Sequence, residues 1–233
     1  QYVCDFLLAP DRSLDSGSAF SQGTRIYGAS IFAHFLDQRY DTDLIRQIWE
    51  QHSRQTNAST DNFDRVLRSV TPGGLADVVS EFALWNYFTG VRHRGEVYED
   101  GAAWPAIDVR STSLNTTDGL IQGRVDHLAS AYLRFAFPPE FGPGGLIIDT
   151  DLERGGWRRQ LALVSGDSLV VERGFDNVTP LTIADWDTYD EVVLILTNTE
   201  RVGIGFQYTV KAEFDVDLTE RPIPAVFAVK RAY

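Results

Sequence analysis

Four histidines, His34, His52, His93 and His127, are the side chains of this sequence best suited to acid–base or metal chemistry. A zinc-gripping helix needs two of them four residues apart on one face, as in H-E-x-x-H, and no two stand at that spacing. His34 and His52 fall on segments with helical apolar periodicity, which reads them as core or boundary histidines. His127 follows Asp126 and is a candidate oriented base, yet no nucleophile sits in a recognisable turn, and G-x-S-x-G, P-loop and dinucleotide fingerprints are absent. Asp149, Asp151 and Glu153 place three carboxylates at alternate positions, as calcium loops do. Arg154 and Gln160 occupy the places of the turn glycine and the distal glutamate, so the reading is a solvated strand end, with calcium at these three carboxylates left open. Asp185, Asp187, Asp190 and Glu191, around Trp186 and Tyr189, form a second acidic cluster read the same way. Asn57-Ala-Ser59, Asn115-Thr-Thr117 and Asn177-Val-Thr179 are glycosylation sequons, meaningful only in a eukaryotic secretory route. The sequence thus assigns no catalytic, cofactor-binding or metal residue.

The elements that would position such groups change character along the chain. Leu75 to Gly90 carries apolar residues at Leu75, Val78, Val79, Phe82, Ala83, Trp85, Tyr87 and Phe88, which predicts a central buried helix between Pro72-Gly73-Gly74 and Gly90. Before it, the 3.6-residue period predicts helices from about Thr24 to Tyr40, Leu44 to Gln55 and through Phe63, Val66, Leu67 and Val70. Tyr27, Ile31 and Phe35 share one row, and Trp49, Phe82, Trp85 and Phe88 are expected to be largely buried. After about Arg110 the period becomes two, with strands expected at Tyr132–Phe137, Leu146–Asp149, Trp157–Val164, Leu169–Val171, Thr179–Ile183, Val192–Thr197 and Phe206–Val216. Val192 to Leu196 is apolar on both faces and belongs mid-sheet, whereas Phe206 to Val216 alternates. The fold class is therefore α+β: a helical lobe over residues 1–95, an antiparallel β-sandwich of jelly-roll type over 106–220, and a linker over 221–233.

A 233-residue chain with 43% hydrophobic and 12% aromatic residues is long and apolar enough for a packed core. Its net charge of −12, with Lys and Arg scattered, argues against nucleic acid as a partner. The single Cys4 reads as a buried free thiol, and no apolar run approaches a membrane span. Methionine is absent even at position 1, which predicts a processed or excised piece of a longer, exported protein.

Taken in order, Tyr27–Tyr40 (YGASIFAHFLDQRY), Leu44–Glu50 (LIRQIWE), Glu81–Gly90 (EFALWNYFTG) and Tyr98–Pro105 (YEDGAAWP) are motifs of one kind of protein. Together with Val125–Phe135 and Tyr189–Glu200, they resemble a family of large secreted bacterial zinc metalloproteases of the H-E-x-x-H, gluzincin-like class. The resemblance implies a helical lower lobe followed by a β-sandwich. It also implies that the metal and catalytic residues lie upstream of Gln1, so none carries over to a position here. Two functions follow as expectations. One is a non-catalytic accessory, structural or binding component of a larger bacterial envelope or secreted assembly, periplasmic, outer-surface or secreted, with protein partners and no transmembrane segment of its own. The alternative is a fragment of a secreted zinc metalloprotease whose catalytic half precedes Gln1. An excised lobe should also bare an apolar strip, for which Val3–Leu8 and the Tyr27, Ile31, Phe35 row are the candidates.

Overall fold

The computed structural model describes residues 2–16, 25–40, 42–54, 60–95, 97–113, 118–136, 142–166, 168–172, 177 and 179–218. The chain divides into two units. The first comprises Gln1–Asp108 with Val125–Ser130 and Thr197–Gly205; the second comprises Val109–Arg124, Ala131–Leu196 and Phe206–Tyr233. The fold is α+β, helices first and strands from Arg110 on. No helix among the described residues is long and apolar enough to cross a membrane.

In the first unit the helices are α1 (Tyr2–Leu7), α2 (Arg25–Gly28), α3 (Ser30–Arg39), α4 (Thr42–Ser53), α5 (Thr60–Leu67) and α6 (Leu75–Tyr87). The apolar residues of α6 converge on Phe82, whose ring lies 5.6 Å from Phe6 of α1 and 5.1 and 5.4 Å from Phe32 and Phe35 of α3. One turn on, Trp85 packs edge-on against Phe35 at 5.2 Å and against Tyr98 at 5.2 Å. The Tyr98 hydroxyl then donates to Asn86 Oδ1 at 2.7 Å, satisfying a polar pair that burial would otherwise penalise. Phe82 and Phe88 are buried as the period predicts, and Trp85 is half-buried.

Several expectations for this unit are corrected. The single helix expected from Thr24 to Tyr40 is two, α2 and α3, parted at Gly28-Ala29. Glycine weakens a helix interior, and Arg25 fixes the short α2 separately. Its guanidinium donates to the carbonyls of Asp5 (3.1 Å) and Arg12 (2.7 Å) and lies 4.9 Å over the Phe6 ring. Tyr27 consequently points to solvent while Ile31 and Phe35 are fully buried, so the row is broken and, among the described residues, forms no continuous bare strip; within Val3–Leu8, Phe6 and Leu7 are buried and Leu8 is exposed. Trp49, expected inside, is 72% exposed, because the buried stripe of α4 is the narrow Leu44 and Ile48 row. Val70 is also exposed, lying past the end of α5.

The second unit holds a five-stranded sheet, order β1-β3-β8-β5-β6, and a four-stranded sheet, order β2-β9-β4-β7. Their strands are β1 (Arg110–Ser113), β2 (Asp118–Val125), β3 (Ala129–Ala136), β4 (Gly145–Leu152), β5 (Trp157–Ser165), β6 (Ser168–Glu172), β7 (Leu181–Ile183), β8 (Glu191–Asn198) and β9 (Phe206–Asp215). Val192 to Leu196 are all buried, as befits a strand flanked on both sides. β4 and β9 run antiparallel with Ile148 opposite Ala212 and Thr150 opposite Val210, all buried, while Asp149 and Lys211 pair on the exposed face. The sheets meet face to face where Trp157 of β5 stands edge-on to Tyr208 of β9, centroids 6.5 Å apart. Arg159 of β5 donates from Nη1 to Thr150 Oγ1 of β4 at 2.9 Å.

All seven expected strands are present, and two are added. β1 is the polar tetrapeptide Arg-Ser-Thr-Ser, and β2 is interrupted by Gly119 and Gly123, so neither carries an apolar alternation. Gly123 is needed because the Tyr208 ring occupies the space a Cβ would fill. The expectation of wholly antiparallel pairing fails at one edge, where β1 runs parallel to β3, Arg110 opposite Leu133. The intervening β2 belongs to the other sheet, and a crossover of that kind returns the chain in its original direction. The linker expected over 221–233 lies outside the described residues.

Candidate functional site

The histidine with most chemistry around it is His127. The segment after α1 brings Pro10, Asp11 and Leu14 alongside residues 126–130 through three backbone bonds: Asp126 N–H to Asp11 O (2.8 Å), Ser130 N–H to Pro10 O (2.9 Å) and Leu14 N–H to Leu128 O (3.2 Å). This places Ser13 and Asp15 against the imidazole. Asp15 Oδ1 lies 2.8 Å from His127 Nε2, Ser13 Oγ lies 3.4 Å from the same nitrogen, and the Ser13 hydroxyl donates to Asp15. A serine, a histidine and an aspartate therefore touch, but in the wrong order for nucleophilic catalysis. A relay needs the acid on one ring nitrogen and the hydroxyl on the other. Here His127 Nδ1 faces the Gly203 carbonyl oxygen at 2.5 Å, which can only accept, and the hydroxyl proton points at the carboxylate. The imidazole is a bridge between two acceptors, one from each side. The expected partner, Asp126, instead accepts the Gly205 N–H at 2.9 Å.

What these groups hold is the connection from β8 to β9, residues 199–205. Gly203 O takes bonds from both the ring and the backbone N–H of His127, the latter at 3.2 Å. Glu200 N–H donates to Asn198 Oδ1 at 2.8 Å. Arg201 pairs with Asp61 and, at 2.8 Å, with Asp64 Oδ2 on α5. Gly203 and Gly205 have φ of 110° and 70°, a region that side-chain-bearing residues avoid. Between these fixings Val202 and Ile204 stand 76% and 82% exposed.

Asp64 also serves the helix that organises the first unit. Gly74 precedes α6 with φ 58° and no side chain to cap it, so Asp64 Oδ1 accepts the Leu75 N–H at 3.0 Å from a neighbouring helix while Oδ2 takes Arg68 Nε at 3.0 Å. Burial pushes the Asp64 carboxyl up, but the Leu75 and Arg68 hydrogen bonds and the charges of Arg201 and Arg68 outweigh it and hold the group below the usual aspartate range.

The remaining candidates are dispersed. His34 is exposed beside Trp104, ring centroids 6.2 Å apart; His52 packs on Phe63 at 5.6 Å; and His93 Nε2 meets the Tyr98 carbonyl at 2.7 Å. Cys4 is half-buried, less enclosed than expected. Asp149 and Asp151 project from the exposed face of β4, an extended strand and not a loop, and Glu153 Oε2 accepts the Gln207 N–H at 2.7 Å. In the second acidic cluster Asp190 accepts the Gly166 N–H at 2.6 Å and Glu191 pairs with Arg134 at 2.6 Å, around a fully buried Trp186. Among the described residues no group of three or more His, Cys, Asp or Glu is placed to hold a metal ion. Asn177 is exposed, and the sequons at Asn57 and Asn115 lie outside the described residues.

Sequence reasoning passed over Ser13, Asp15, Asp64 and Arg201. The legible signal was Val-Gly-Ile-Gly at 202–205, aliphatic residues alternating with glycines between a buried strand and an amphipathic one.

No protein-family model matches the chain, and no curated protein matches it in sequence. Among solved structures, it is similar to PliG of Aeromonas hydrophila, a periplasmic inhibitor of g-type lysozyme, at 5% identity and TM-score 0.33 over 46% of this chain and 100% of that one. It is similar to the pre-peptidase C-terminal domain of a Bacillus anthracis collagenase at 13% identity and TM-score 0.32, over 46% and 95%. The Yersinia pseudotuberculosis-derived mitogen matches at 12% identity and TM-score 0.30, over 50% and 97%.

Proposed function

We propose that this chain is a non-catalytic, extracytoplasmic binding or structural component of a larger bacterial envelope or secreted assembly, on a scaffold of helical lobe and jelly-roll-like sandwich derived from a metalloprotease. The observation that carries this reading is the use made of the polar groups around His127. Serine, histidine and two aspartates hold a loop with two outward-facing aliphatic side chains instead of activating a nucleophile. The ordered motifs from Tyr27 to Glu200 support the metalloprotease ancestry and with it the location outside the cytoplasm.

Metal analysis and a peptide-hydrolysis assay on the purified chain test the non-catalytic part: the expected result is no stoichiometric zinc and no cleavage, and near-stoichiometric zinc with cleavage overturns it. The same motifs favour a second reading, in which an upstream H-E-x-x-H fragment stays associated and this chain forms the floor of its cleft. Native mass spectrometry separates the two, since only the second expects a co-purifying H-E-x-x-H peptide.

A further inference from the structure

We propose that the loop 199–205 is the point at which this chain docks, and that its partner is a protein with an apolar pocket bordered by lysine and arginine side chains. The inference rests on the reading of the chain as a binding component and specifies its surface. Most large exposed apolar residues of the described chain stand singly in sequence, such as Leu8, Trp49, Val91 and Leu120. Scattered residues of that kind are ordinary on a protein surface. Val202 and Ile204 differ in standing two residues apart on a backbone tied down between them and on both sides, by His127 at Gly203, Asp126 at Gly205 and the Asp61–Asp64 pair at Arg201. A loop ordered before encounter loses little conformational freedom on binding, so two aliphatic anchors presented this way gain more affinity than the same residues on a free loop.

The border of the loop decides the chemistry of the partner. The carboxylates of Asp61 and Asp15 are 66% and 48% exposed, and the cation that faces Asp61, Arg201, is shared with Asp64. The whole chain carries −12. An anionic lipid surface or a second copy of the chain would meet like charge, whereas a cationic rim is attracted and desolvates without repulsion.

The test places a benzophenone amino acid at Ile204 of the full chain in the cells that produce it, and at Leu120 as an exposed control, then maps photo-cross-links by mass spectrometry. The expected product joins Ile204 to one protein, within a segment where apolar residues are flanked by Lys or Arg. The pair Val202→Asp and Ile204→Asp should weaken that complex by about 100-fold with an unchanged melting curve, as loss of two buried aliphatic side chains implies. Raising salt from about 50 to 300 mM should slow association several-fold. Cross-links to lipid, to another copy of the chain or to an acidic segment, or no excess over the Leu120 control, overturn the assignment. A complex that survives the double substitution leaves the binding reading standing and removes this loop from it; absence of any complex with the wild-type chain removes both.

Discussion

Removing the carboxylate of Asp64 should destabilise the first unit out of proportion to its size. One oxygen accepts the Leu75 N–H at the start of α6, and the other meets Arg68 and Arg201 at 3.0 and 2.8 Å. Leu75 is buried, so in Asp64→Ala its N–H is left without an acceptor, which costs about 1–3 kcal/mol. The two guanidinium groups are half exposed, and each ion pair adds about 0.2–1 kcal/mol after screening. The total is about 1.5–5 kcal/mol for alanine. Asp64→Asn keeps a carbonyl for Leu75 and loses only the charge, so it should cost about 1 kcal/mol. The pH dependence follows from the sign of the shift. The folded carboxyl titrates below its unfolded value, so its contribution is present above the ordinary aspartate range near about 3.9 and is lost as pH falls through and below it. Urea melts followed by tryptophan fluorescence at pH 7 and pH 3 should therefore show the gap between wild type and Asp64→Asn shrinking at the lower pH. A loss below about 0.5 kcal/mol in Asp64→Ala would refute the assignment of a capping role to this residue, and a gap that does not change with pH would refute the contribution of its charge.

Gly74→Ala should cost about 1–3 kcal/mol in the same melts, because φ is 58° and the added Cβ points at the Asp64 carboxylate. Combined with Asp64→Ala it should be less than additive. Phe82→Ala, at the meeting point of three phenylalanine rings, should cost about 3–5 kcal/mol, whereas Trp49→Ala should fall within about 0.5 kcal/mol of wild type despite removing a larger side chain. In the second unit, Arg159→Ala should lose about 2–4 kcal/mol, while Arg159→Met, which fills the space between the sheets without a buried charge, should stay within about 1 kcal/mol. Equal losses in the two variants would show that the bonds of Arg159 to Thr150 and the Thr179 carbonyl, and not its volume, hold the sheets.

The sequence alone determined the α+β class, the turn to strand character after Arg110, the seven apolar strands and the central place of the helix around Phe82. These depend on hydrophobic period, a property that neighbours in sequence share and that burial on one face enforces. Tertiary structure decided what period cannot encode. Trp49 lies beside an apolar stripe, yet whether a flanking position is covered depends on how closely the next helix approaches. β1 and β2 are polar or glycine-broken and become strands only because a neighbour supplies the ladder and the Tyr208 ring needs the space at Gly123. The cap of α6 comes from Asp64, eleven residues before the N–H it satisfies. His127 meets Asp15 across 112 residues, not the Asp126 beside it, because adjacent side chains rarely face one another while a loop and a returning segment can be brought together at any separation. Sequence spacing identifies chemistry carried on a single element. Here the polar groups come from three separate segments, around Asp15, Asp61 and His127, and only their convergence about Gly203 and Arg201 turned scattered acids and one histidine into the frame of an exposed loop.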